Sequence, residues 1–143
     1  MYFLRSFTTS ATLLPPVVTV YDANATTFTT TGATLIGRLR SHDGTDAPAV
    51  TVYYGVNDQG KTDAGWDGNA VVGVVNAGAD FSKAVTGLDG GVQFYYRAKA
   101  VNSAGTSFSD ALGTFVTIGS PEVATITTTN VSPTEGTINA KIL

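Results

Sequence analysis

The stretch from Asn57 to Gly68 gathers carboxylates, amides and an aromatic side chain in one predicted loop. Calcium takes six to eight oxygen ligands, which Asp and Asn side chains and backbone carbonyls can supply. The spacing does not follow the Asp-x-[Asp/Asn]-x-[Asp/Asn]-Gly pattern of an EF-hand loop. We therefore predict a solvated, turn-rich loop and no bound metal. Asp58, Asp63 and Asp67 are the ligands that a calcium ion would use if this loop held one.

Trp66 is the only tryptophan of the chain and lies in the same loop. Its indole ring would serve either as a platform for the C–H face of a sugar or as an anchor that packs against the sheet edge. The sequence favours the packing role. If the loop contacts a ligand, we expect Trp66, Asn57 and Asp58 to make the contact.

Catalytic groups are sparse. His42 is the only histidine, and although Asp43 and Asp46 lie close to it, no activated serine motif accompanies them. Between Pro16 and Ile118 there is no glutamate, so a pair of carboxylates for glycoside hydrolysis would have to consist of aspartates from separate loops. We predict that the chain is not an enzyme and has no catalytic residue and no cofactor.

Asn24 and Asn130 each begin an Asn-x-Ser/Thr sequon, Asn24-Ala25-Thr26 and Asn130-Val131-Ser132. Both are candidate N-glycosylation sites. A sequon is not always modified, and bacterial and viral chains usually carry unmodified ones. The alternative is therefore two exposed asparagines without glycan.

The composition of the chain argues against several kinds of partner and site. Charged residues make up 13% of the chain and the net charge is −3, which argues against nucleic acid or an anionic membrane as the main partner. The absence of cysteine excludes disulfides, thiolate metal sites and cysteine nucleophiles. No apolar run approaches the about 18 residues that span a membrane, so we predict no membrane insertion.

The two ends of the chain repeat each other. The residues around Thr19 and Asn24 resemble those around Thr125 and Asn130. The spacing from Thr19 to Thr125 equals that from Asn24 to Asn130. Residues 34–39 resemble residues 137–142 at a slightly shorter spacing, and the start of the chain resembles residues 112–117. We therefore predict the last strand of a preceding repeat plus a linker in 1–14, a complete module in 15–118, and a linker with the first two strands of a following repeat in 119–143.

Short runs rich in β-branched and aromatic residues, separated by turn residues, predict seven strands in the complete module. They are expected at residues 17–21, 33–40, 50–55, 71–75, 81–85, 94–102 and 111–118. The Asp43-Gly44 pair marks a tight corner. This pattern predicts an all-β fold, a seven-stranded Greek-key β-sandwich of the immunoglobulin-like class.

The segment from residue 88 to residue 106 resembles a fibronectin type III domain. The residues that carry the resemblance, and that we expect to define the fold, are Leu88, Gly91, Phe94, Tyr96, Ala98, Asn102 and Gly105. Four other segments are similar to a bacterial subgroup of these domains, found as tandem repeats in surface proteins. They are Thr34-Leu35-Ile36-Gly37, Val52-Tyr53-Tyr54-Gly55, Trp66 and Thr114-Phe115-Val116-Thr117.

The sequence departs from the family at three places. Gly90 replaces the corner proline, and Phe94 stands at the tyrosine-corner position without the hydroxyl that would bond to upstream backbone. The usual buried tryptophan of the second strand is replaced by Leu35 or Gly37.

From the repeats and this resemblance we expect a noncatalytic structural module of an extracellular protein, on a microbial cell surface or a virion. It would space and assemble a stalk or filament through tandem repeats or through strand exchange between subunits, with copies of itself or neighbouring repeats as partners. The alternative is an adhesion module that recognises glycan or protein through loops 41–46, 57–68 and 102–109.

Overall fold

The stretches in which apolar and polar residues alternate are the strands of the fold. A computed structural model describes residues 11–23, 28–125 and 141–142. The strands are β1 (Val17–Val20), β2 (Gly32–Ser41), β3 (Ala49–Gly55), β4 (Gly68–Val74), β5 (Asp80–Thr86), β6 (Gln93–Asn102), β7 (Gly105–Phe108) and β8 (Gly113–Val116). Within the described ranges there is no helix long and apolar enough to cross a membrane.

The strands form two antiparallel sheets that pack face to face. One sheet has three strands in the order β1-β2-β5. The other has five, in the order β4-β3-β6-β7, with β8 also paired to β6. The predicted all-β sandwich is therefore confirmed.

The core consists of the inward-facing residues of both sheets, as period-two alternation requires. Leu35 and Leu39 of β2 face Val50 and Val52 of β3, and all four have no exposed surface. Phe94 stacks on Phe115, with ring centroids 5.3 Å apart. The other buried apolar residues are Val18, Val20, Ala33, Val75, Phe81, Val85, Leu88, Tyr96, Ala98 and Ala100.

Gly37 is one of the two positions of β2, with Leu35, at which the sequence resemblance left the usual tryptophan missing. A Cβ atom here would collide with the ring of Phe81 and with the main-chain carbonyl oxygen of Thr19. Phe81 lies directly opposite Gly37 in the β2–β5 ladder. The volume that a large side chain on β2 would need is thus filled from the neighbouring strand.

Tyr96 ties the two sheets together. Its side chain is fully buried, and its hydroxyl donates to the carbonyl oxygen of Tyr21 and accepts from the N–H of Ile36 at 3.4 Å. Burial raises the pKa of the Tyr96 hydroxyl to about 12. The hydroxyl that Phe94 lacks is thereby supplied two residues later on the same strand.

The last strand of the sandwich is broken into β7 and β8, of which the sequence predicted only the second, as a strand over 111–118. Ser109 causes the break, because its hydroxyl accepts from the N–H of Ala98 at 3.2 Å and donates to the carbonyl oxygen of Ala111 at 2.9 Å. The side chain thus replaces a ladder hydrogen bond. The first half, β7, lies in the region that the sequence assigned to a loop over 102–109, and that assignment was wrong for its strand residues.

Gly91 and Asn102 fix the corners on either side of β6. Gly91 has a φ of 72°, a conformation that glycine adopts without steric cost, and its N–H donates to the carbonyl oxygen of Thr117 at 3.2 Å. The Asn102 side chain donates to the carbonyl oxygens of Asp43 and Asp46, at 2.7 and 3.2 Å. Both motif residues therefore shape loops.

Beyond the sandwich, Val123 and Ile142 form an isolated antiparallel bridge. The sequons at Asn24 and Asn130 lie outside the described residues, as do most of the predicted preceding and following repeats.

Candidate functional site

Residues 56–67, the β3–β4 loop, fold back against the outer face of the five-stranded sheet. Three ion pairs hold the loop there. Asp58 pairs with Arg97, Asp63 with Lys99, and Lys61 with Asp110. The first two cations project outward from β6, because they alternate with the buried residues of that strand.

Arg97 is the main anchor of the β3–β4 loop. Its Nε and Nη2 donate to the two carboxylate oxygens of Asp58, at 2.9 and 2.8 Å, which is the strong bidentate geometry. Its Nη1 donates to the carbonyl oxygens of Ser109 and Asp110, at 2.9 and 3.0 Å. The hydrogen bonds to Asp58 raise the pKa of Arg97, and the Arg97 guanidinium lowers the pKa of Asp58. One side chain therefore ties the loop to the break between β7 and β8.

Lys99 forms the second tie, over the ring of Phe108. Its Nζ lies 2.5 Å from Asp63 Oδ2 and 5.8 Å from the ring centroid of Phe108. The hydrogen bond to Asp63 raises the pKa of Lys99. The ring of Tyr53 lies 6.0 Å from that of Phe108. These two rings therefore pack against each other across β3, β6 and β7.

Trp66 is half-buried, and its Nε1 donates to the carbonyl oxygen of Thr62 at 2.9 Å. The Thr62 hydroxyl in turn accepts from the N–H of Ala64 at 3.2 Å. These bonds close a turn inside the loop, so they fit the anchoring role of Trp66. Asn57 is exposed, and the contact of Trp66, Asn57 and Asp58 with a ligand stays a prediction.

The three aspartates proposed for calcium have separate partners. Asp58 and Asp63 pair with the cations of β6, and Asp67 accepts from the N–H of Val56 at 2.7 Å, which closes the base of the loop. In the part of the chain that the structure describes, no group of three or more His, Cys, Asp or Glu side chains is placed to hold a metal ion. The hypothesis of calcium at these residues gains no support from this arrangement and stays untested.

A second set of contacts closes the end of the sandwich where β2 and β6 finish. The carboxylate of Asp46 accepts from the N–H of Ser103 at 3.0 Å and from its hydroxyl. These bonds lower the pKa of Asp46. His42 Nδ1 lies 3.4 Å from the carbonyl oxygen of Asp43. The contacts brace the turn between β2 and β3.

A third set of functional groups was missed by the sequence reasoning. Tyr21, Ile36, Arg38, Asp80 and Ser82 line a depression of about 490 Å³ on the outer face of the three-stranded sheet. They come from three separate stretches of sequence, and no local motif links them. The period-two alternation of β2 was the available signal, because it placed Ile36 and Arg38 on the outward face.

Comparison with known proteins shows the fold. No protein-family model matches the chain, and neither does any curated protein. The sensor domain of the anti-sigma factor RsgI4 of Pseudobacteroides cellulosolvens is similar in structure, with a TM-score of 0.50 and 17% sequence identity over 73% of this chain and 96% of that one. The third fibronectin type III domain of the human KIAA0343 protein gives a TM-score of 0.48 and 17% identity over 92% of this chain and 98% of that one. The strand order and the first of these similarities establish a fibronectin type III-like sandwich.

Proposed function

We propose that this fibronectin type III-like sandwich is a noncatalytic structural module that spaces and assembles an extracellular or virion-surface stalk or filament. Fold alone does not assign a function, since the same sandwich serves many. The proposal rests instead on where the chain enters and leaves the sandwich. It is supported by the repeat that the sequence predicts.

The chain enters and leaves at opposite ends of the sandwich, and this observation carries the proposal. Before β1, the N–H of Leu14 donates to Asp43 Oδ2 at 3.0 Å, beyond the C-terminal end of β2. After β8, the N–H of Ile118 donates to the carbonyl oxygen of Thr29 at 3.1 Å, before the N-terminal end of β2. The ten residues of β2 span about 30 Å at roughly 3.3 Å per residue. A module with this path adds its full length to a string of modules.

One strand pairing beyond the sandwich supports the predicted repeat. Val18 pairs with Leu39 where β1 and β2 begin the sandwich. In the sequence repeat, Ile142 corresponds to Leu39. Val123 comes one residue before the position that corresponds to Val18. The antiparallel bridge between Val123 and Ile142 therefore has the partners, to within one residue, that a second copy of the first strand pair would have.

Small-angle X-ray scattering on strings of one, two and three copies of residues 15–121 tests the spacing role. Each added copy should lengthen the particle by about 30 Å or more, because the chain enters and leaves at opposite ends. A maximum dimension that grows by much less would mean that successive modules fold back on each other, and the spacing role would be refuted.

Strand exchange between subunits is tested separately, by light scattering on the 143-residue chain across a range of concentrations. We expect assemblies that grow with concentration and resist mild denaturant, since exchanged strands add backbone pairing between chains. Residues 15–118 alone are the matched control and should stay monomeric. A monomer at every concentration would exclude strand exchange, and assembly would then depend on tandem repeats.

A further inference from the structure

The outer face of the three-stranded sheet carries a block of side chains aligned across its strands. In the β2–β5 ladder Arg38 lies opposite Asp80, and Ile36 lies opposite Ser82. Tyr21 follows β1, and its N–H donates to the carbonyl oxygen of Ile36 at 3.3 Å. Tyr21 therefore extends the row that Ile36 and Ser82 form across the sheet. Together with Gly37 and Phe81, these five residues line a depression of about 490 Å³, within the range of about 300 to 1,000 Å³ that small-molecule sites occupy.

Tyr21 provides an aromatic wall on a fixed backbone. Its N–H and its carbonyl oxygen both form hydrogen bonds, the first to Ile36 and the second with the buried hydroxyl of Tyr96. The residue is nevertheless 40% exposed. Because its main chain is already fixed, Tyr21 loses no backbone freedom when a ligand covers its ring, which favours binding.

Arg38 and Asp80 supply adjacent donors and acceptors. Arg38 Nη1 lies 3.1 Å from Asp80 Oδ1, and the two side chains are 41% and 71% exposed. Each group therefore has further hydrogen-bonding capacity directed to solvent. Because the two charges offset each other, the pair favours a neutral ligand that both donates and accepts, rather than an anion or a cation.

We propose that this depression binds a neutral saccharide. One sugar ring lays its C–H face against Tyr21 and Ile36, while neighbouring hydroxyls accept from Arg38 and donate to Asp80. An aromatic ring with an apolar body suits the C–H face of a sugar, and the few polar groups set its orientation. The site lies on the opposite face from the β3–β4 loop and does not depend on the spacing role.

The test is a nitrogen-15 NMR titration of the complete chain with maltose, cellobiose, lactose and N,N′-diacetylchitobiose, each up to about 20 mM. A shallow, exposed site predicts a Kd of about 1 mM for the preferred disaccharide. The amide signals of β2 and β5 should shift most. If none of the four disaccharides shifts these signals at that concentration, the proposal is overturned.

Two pairs of variants locate the contact. Tyr21→Ala should weaken binding about tenfold, whereas Tyr21→Phe, which keeps the ring, should bind within about twofold of wild type. Asp80→Asn should weaken binding about fivefold because it removes a charged acceptor. Asp110→Asn is its matched control, since it removes an exposed ion pair far from the depression, and it should have no effect. Binding that survives both Tyr21→Ala and Asp80→Asn would place any saccharide elsewhere and refute the assignment.

Discussion

Replacing Tyr96 by phenylalanine would remove one hydroxyl from a fully buried position that joins the two sheets. The ring would keep its packing against Phe115, whose centroid lies 6.1 Å away, so no large cavity forms. The loss is confined to the hydrogen bonds with Tyr21 and Ile36. A lost hydrogen bond that leaves a buried carbonyl without its partner costs about 1 to 3 kcal/mol. We expect the free energy of unfolding to fall by that amount.

Urea unfolding followed by circular dichroism measures this change. The midpoint should fall while the dependence of the unfolding free energy on urea stays constant, because the variant buries the same surface. For a domain of about 100 residues, each kcal/mol corresponds to roughly 4 to 8 °C in Tm.

Tyr95→Phe is the matched control for Tyr96→Phe. Tyr95 is the preceding residue of β6 and is only half-buried on the other face, so its variant should stay within about 0.5 kcal/mol of wild type. If Tyr96→Phe also stays within that margin, the hydroxyl does not stabilise the sandwich and the reasoning is refuted.

The pKa of Tyr96 gives a second readout. Because it is about 12 in the folded chain against an ordinary value of 10.0, the unfolded chain loses this proton first as the pH rises. The stability that depends on the neutral hydroxyl is therefore complete below about pH 10 and falls between about pH 10 and 12. The difference in stability between wild type and Tyr96→Phe should shrink across that interval. An unchanged difference would contradict the raised pKa.

Three further predictions concern the loops and the core. Asp58→Ala should cost about 1 to 2 kcal/mol in urea unfolding, because it leaves the largely buried Arg97 without its carboxylate, whereas Asp110→Asn at an exposed pair should change stability little. Gly37→Ala should destabilise by about 1 to 3 kcal/mol, since its methyl group enters filled space, and a neutral result would contradict the tight packing there. The pKa values of Asp46, Asp58 and Asp110 lie below the ordinary 3.8, so their stabilisation is present above about pH 4 and is lost as the pH falls through the lower folded values. Acid unfolding of Asp46→Asn against wild type measures the first of these, and equal pH profiles would count against it.

The fold follows from the sequence wherever alternation is strong. Residues 94–102 alternate core and surface without interruption, and β6 occupies that stretch with one residue more. The break before β8 could not be anticipated, because it depends on Ser109 taking the place of a backbone partner of Ala98. A serine forms such a bond only when the tertiary structure places a particular N–H beside its hydroxyl. Likewise, Tyr96 could be placed on the core face, but the carbonyl that its hydroxyl meets belongs to Tyr21 on the opposite sheet.

The contacts of the β3–β4 loop were the hardest feature to predict from the sequence. Asp58 and Asp63 looked like candidate ion ligands because their cationic partners, Arg97 and Lys99, are distant in sequence. Strand pairing brings β6 beside β3, and the loop that leaves β3 then reaches both cations. The carboxylates of Asp58 and Asp63 are therefore paired in the fold, and the pairing of β3 with β6 is what brings their partners within reach.

The four ion pairs of the described residues lie on the outer faces of the two sheets. Among the residues that the structure describes, three of the four ion pairs fasten the β3–β4 loop to the five-stranded sheet. The fourth, Arg38 with Asp80, lies on the outer face of the other sheet. It connects two strands that a full ladder of hydrogen bonds already joins, and exposed pairs of this kind contribute only about 0 to 1 kcal/mol. The fold therefore gains little from this pair, whereas a ligand in the adjoining depression would gain a donor and an acceptor side by side.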